Sequence, residues 1–127
     1  IVQFTKSGVI HMGDQFVNPR FPFVDVASGG AVAGYIKTVG EVLASCDDNV
    51  KIIPGHGALA TKADLKKFHD MLVGTSTLVK QGVAAGKSVS DIKADPAWQQ
   101  WREFSTDASF VSANRWIDAL YNAFSKK

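Results

Sequence analysis

At 127 residues the chain has the length of about one domain. Its 46% hydrophobic and 20% charged residues are ordinary globular usage, which excludes a disordered chain, a collagen-like fibre and a coiled coil. The formal net charge of +2 comes from dispersed groups, and Lys66-Lys67 and Lys126-Lys127 are too few to form a nucleic-acid stripe. No apolar run approaches the ~20 residues of a membrane helix. The single cysteine, Cys46, excludes an internal disulfide. The chain begins at Ile1 with no basic-then-apolar signal segment, so the expectation is a piece of a longer protein, with its localisation unknown.

Residues 1–13 read as a β-hairpin: Ile1, Val2, Phe4 and Thr5, a Lys6-Ser7-Gly8 turn, then Val9-Ile10-His11-Met12. The second strand is expected to stop at Gly13-Asp14, before an aromatic-rich loop over residues 14–29. A helix follows over residues 30–46, capped by Ser28, with Val32, Tyr35, Ile36, Val39, Val42, Leu43 and Cys46 on one face. Val50–Ile53 is a short strand halted by Pro54-Gly55-His56-Gly57.

A second helix starts near Thr61. It carries Leu65, Phe68, Leu72, Thr75, Val79 and Val83 on one side, and Thr61 with Asp64 makes an acidic capping box. Ser88 or Ser90 caps a short turn through Ile92. Pro96 suits the first turn of a short helix with Trp98, Trp101 and Phe104. The last helix runs from about Ser109 to Phe124. The order of elements is α/β with a helical tail.

Two places can carry chemistry. One strand ends in His-Met-Gly-Asp (11–14) and another in Pro-Gly-His-Gly (54–57). The carboxyl ends of strands are where α/β folds place active sites, and Asp14 and His56 are good zinc ligands. The plain alternative is turn punctuation. His11 fits a packed or hydrogen-bonded strand histidine, pointing to the face opposite Met12 and Asp14. His69 fits the boundary of a helix, Cys46 a buried thiol, and the tryptophans the core of the tail.

The segment Val9–Leu72 resembles the C-terminal half of the metallo-β-lactamase-fold metallohydrolases. The matching pieces are Val-Ile-His-Met-Gly-Asp (9–14), Phe-Pro-Phe-Val-Asp with Ser-Gly-Gly (21–30), the following helix, and Lys-Ile-Ile-Pro-Gly-His-Gly (51–57). Residues 88–127 are similar to the helical tail of one hydrolase branch.

The resemblance implies half of an αββα sandwich over residues 1–86 and a helical extension over 87–127. It implies two metal ions, usually zinc, with iron or manganese as substitutes, which activate water against an ester, thioester or similar bond. Asp14 falls on the bridging carboxylate, the catalytic position, and His56 on the last histidine ligand. Asn18, Arg20 and Phe21 fall near the metal mouth, where they could meet a small-molecule substrate; the phenylalanine could equally be core and the arginine surface.

The family's zinc β-lactamases of the best-known subclass carry cysteine at the place of Asp14, so antibiotic hydrolysis is not expected. The family's His-x-His-x-Asp-His signature is absent from this sequence. The implied hydrolase is therefore incomplete and inactive in this chain alone. It needs the N-terminal half or a second chain, and a homo-oligomer is one route. The competing expectation is a non-catalytic half-fold that self-associates or docks on a partner. Neither nucleic acid nor membrane is an expected partner.

Overall fold

The computed structural model describes residues 1–18, 20–22, 32–105 and 113–125. Strand β1 (Val2–Phe4) pairs antiparallel with β2 (Val9–Val17), and β2 pairs parallel with β3 (Lys51–His56). Helix α1 (Val32–Ser45) lies between β2 and β3 in the chain, since a parallel pair needs a long crossover. The described part is thus α/β, with a small mixed sheet in the order β1-β2-β3.

The two faces of the sheet differ. Paired residues share a face, and in the Gln3–Ile10–Ile52 row Ile10 and Ile52 point into the core. The Val2–His11–Ile53 and Phe4–Val9–Lys51 rows point the other way, and Val2, Phe4 and His11 stand exposed. Helix α1 covers the inner face with Val32, Tyr35 and Val39. Helix α2 (Lys62–Ala84) joins it with Leu65, Phe68 and Leu72.

Two strand boundaries depart from the sequence expectation, and one helix found where expected takes a tighter form. Strand β2 runs past Gly13 to Val17 instead of stopping at Asp14. It takes eight steps from Val9 to Val17 while β3 takes five between their partners Lys51 and His56. The surplus is absorbed in bulges, and Gly13 supplies the left-handed φ of +55° beside one of them. Strand β3 continues through Pro54 and Gly55 to His56. A proline is tolerated there because β3 lies at the edge of the described sheet, where its outer side carries only a single bridge, Ile52 to Ala60, among the described residues. The short helix after Pro96 is a 3-10 helix, Pro96–Phe104, capped by Asp95. Ser28 and the loop residues after Pro22, together with Ser109 and Phe110, lie outside the described residues.

Other expectations hold. The Thr61–Asp64 capping box forms in both directions, with Asp64 N to Thr61 Oγ1 at 3.3 Å and Thr61 N to Asp64 Oδ2 at 2.9 Å. Ser88 caps α3 (Val89–Lys93) in the same way. Helix α4 (Ala113–Ser125) buries Trp116, Ile117 and Leu120 and packs on α2. Trp116 Nε1 donates to Thr75 Oγ1 at 3.0 Å, so the buried indole keeps its hydrogen bond. Cys46 is buried and contacts the Leu43 carbonyl. His69 is half-buried, its Nε2 lying against Gly40 of α1. Among the described residues no helix is long and apolar enough to cross a membrane.

Candidate metal centre

Asp14 sits on β2 just after the left-handed Gly13, and His56 is the last residue of the neighbouring β3. Strict alternation would put Asp14 on the buried side with Ile10 and Met12. Instead its side chain is 81% exposed, because the bulge at Gly13 breaks the pleat. The His56 side chain is 59% exposed, and its Nε2 lies 3.2 Å from Asp14 Oδ1. Two residues 42 positions apart thus meet through the parallel pairing of their strands.

The backbone leaves room for this meeting. A Cβ on Gly55 would strike Asp14 Oδ1 and the Gly13 carbonyl group. Gly57 has φ +102°, and a Cβ there would strike the Asn18 carbonyl oxygen. At these two positions only glycine fits.

Tyr35 reaches the site from α1. Its hydroxyl donates to the Asp14 main-chain carbonyl at 2.8 Å. Burial first, and the nearby Asp14 carboxylate second, push its ionisation well above the ordinary 10.0. Tyr35 was expected only as part of the apolar stripe of α1, since a long-range bond to a main-chain atom leaves no mark in the local pattern.

The remaining candidates divide. Asn18 N–H donates to the His56 carbonyl at 3.0 Å, and its side-chain amide makes a long 3.5 Å contact to the Ala58 carbonyl. Asn18 therefore braces the turn that follows His56. Arg20 is half-buried, its N–H closing a turn onto the Val17 carbonyl at 3.1 Å. Phe21 is only 2% exposed and its ring packs on Phe104 with centroids 6.0 Å apart. Of the two roles open to this phenylalanine, burial supports core packing, because no face of the ring is left for a substrate. A hollow of about 270 Å³ beside Asn18 is lined by Asp64, Lys67, Glu103 and Phe104. His11 is exposed, with its Nδ1 accepting from Gly13 N–H at 3.0 Å.

The donor chemistry of Asp14 and His56, one carboxylate and one imidazole, suits zinc, iron or manganese. A catalytic zinc site takes about three protein ligands. Among the described residues no group of three His, Cys, Asp or Glu side chains is placed to hold a metal. The pair supplies two donors of the right chemistry, fewer than such a site takes. No protein-family model matches the chain, and no curated protein matches it.

Proposed function

We propose that this chain is the C-terminal part of a dinuclear zinc hydrolase with the metallo-β-lactamase fold, in which Asp14 and His56 supply two metal ligands. The observation that carries the reading is their juxtaposition: an exposed carboxylate and an exposed imidazole, on adjacent parallel strands, 3.2 Å apart. The helix-covered sheet supports it too, since one helical layer on one sheet is half of such a sandwich.

In this reading Asp14 would offer its carboxylate and His56 its imidazole to the metal centre. When bound, the metal would supply an activated water against a bond of the ester or thioester type. The protein's own residues orient these ligands: the Gly13 bulge turns the carboxylate outward, and Asn18 holds the turn beyond His56. The described residues do not complete such a ligand set, so in this reading the chain is inactive by itself.

The exposed Ile1, Val2 and Phe4 support a second reading. The half-fold then associates with itself or with a partner through the outer sheet face and catalyses nothing.

Equilibrium dialysis against zinc separates the two. The hydrolase reading expects weak binding that needs both Asp14 and His56. It also expects tight binding once a polypeptide bearing the His-x-His-x-Asp-His half is added. Binding indifferent to both substitutions, or unchanged by that addition, sinks it and leaves the association reading.

A further inference from the structure

Three features converge on the main chain of residue 14. The Tyr35 hydroxyl donates to the Asp14 carbonyl at 2.8 Å, and a carbonyl can only accept. The tyrosine ring is itself locked: it stands edge-on to Phe68 with centroids 6.3 Å apart. Phe68 in turn lies 5.0 Å from Phe16 of β2. Finally, the carbonyl it holds lies in the stretch between Gly13 and Val17, where the ladder to β3 is irregular.

A bulged strand has lost part of the regular pairing that would hold its peptide planes. Here α1 provides a fixed point in its place. The carboxylate of Asp14 is mostly in water and its packing cannot orient it. The backbone fixes where the side chain leaves the strand, and the His56 ring meets the carboxylate there.

We propose that Tyr35 is a positioning residue for the metal site. By anchoring the Asp14 carbonyl, it aims the Asp14 carboxylate at the place shared with His56. This rests on the reading of Asp14 and His56 as ligands and adds a supporting shell to it. Groups that orient ligands without touching the metal commonly govern affinity by ~10–100-fold.

Tyr35→Phe is the test, because it keeps the ring on Phe68 and removes only the donor. The full chain is titrated with zinc chloride while the His56 imidazole is followed by NMR, with its signal assigned through His56→Ala. The expected result is a zinc-dependent His56 shift that Asp14→Ala abolishes and that Tyr35→Phe weakens about tenfold.

Removing a buried hydroxyl also lowers stability, so a matched control is needed. Ile117→Val trims a buried side chain of α4 and lowers stability by a similar amount. It is expected to leave the zinc titration unchanged. Equal zinc affinity in Tyr35→Phe and wild type overturns the positioning role and leaves the metal reading standing. So does an equal weakening in Ile117→Val, which would make affinity a mere reflection of stability. A wild-type His56 signal that ignores zinc, or a shift that survives Asp14→Ala, overturns the metal reading and the positioning role with it.

Discussion

Trp116 lies between α2 and α4 with no exposed surface, its indole N–H paired with Thr75. Asp14 and His56 lie at the rim of the sheet with most of their side chains in water. The first region orders its polar groups by burying them with a partner. The second orders them through the backbone: a left-handed glycine, two glycines that leave room for neighbours, and one tyrosine anchored from a helix. Stability is concentrated in the first region and chemical access in the second, so substitutions in the two should separate folding from binding.

The largest effect is expected at Trp116. Trp116→Ala empties a fully enclosed site and removes the donor to the Thr75 hydroxyl, which keeps its own bond to the Met71 carbonyl. A loss of ~3–5 kcal/mol follows from the cavity and the transfer of the ring, read by urea denaturation. The zinc response of His56 should persist wherever the variant remains folded. A loss below about 1 kcal/mol would mean that the α2–α4 interface does not carry the stability assigned to it.

Gly55→Ala brings the comparison to the rim. The new Cβ would lie 2.6 Å from the Gly13 carbonyl carbon and 2.7 Å from its oxygen, both backbone atoms that cannot swing aside. A cost of ~1–3 kcal/mol is expected from this overpacking, together with a change in the zinc response, because the same methyl meets the Asp14 carboxylate. Unchanged stability and binding would show that β2 and β3 are not held as close as the geometry requires.

The same contrast explains what was legible in the sequence. The stripes of α1 and α2, the Thr61–Asp64 box and the Ser88 cap are local patterns, and each formed where its spacing put it. Pro54-Gly55 and Gly13-Asp14 read as turns, because their residues are turn formers. They became strand because an edge position tolerates proline and a bulge tolerates glycine, both properties of the neighbouring strand rather than of the segment itself. Asp14 and His56 stood out by residue type and by an expected place at strand ends, which holds for His56 while Asp14 lies within β2, and the fold brings them together. The Tyr35 bond and the burial of Phe21 on Phe104 depend on distant chain segments, and no local pattern announces them.

Alkaline pH tests the Tyr35 anchor without zinc. Burial raises its ionisation in the folded chain above the ordinary 10.0. Below pH about 10 both folded and unfolded chains keep the proton, and its contribution is fully present. Above that value the unfolded chain releases a proton that the folded chain retains, so stability falls by up to ~1.4 kcal/mol per pH unit. Tyr35→Phe should remove this component of the slope in denaturation curves taken between about pH 9 and about pH 11. An identical slope in wild type and variant would contradict a buried, hydrogen-bonded hydroxyl.

Ser76 offers a smaller effect on the helical side. Its hydroxyl oxygen is buried and has no hydrogen-bond partner among the described residues, unlike the adjacent Thr75. Ser76→Ala removes an unpaired polar group and improves helix propensity, so a gain of about 0.5 kcal/mol is expected in urea denaturation. A loss would mean that the hydroxyl is satisfied after all, and that burial with a partner is the rule throughout α2.

The smallest effect on stability is expected from the pair at the rim. Asp14→Ala and His56→Ala each remove one partner of a polar contact whose side chains are more than half exposed. Water screens such a pair, and each change should cost about 0.5 kcal/mol or less. Binding should respond in the opposite way: either substitution is expected to abolish the zinc shift of the site. Small stability cost with complete loss of binding is the signature of residues held for chemistry, because nothing in the fold depends on their side chains. A cost of several kcal/mol would reverse the assignment. It would make the Asp14–His56 contact a clasp between β2 and β3, and the weight would pass to the reading in which this half-fold is a docking module.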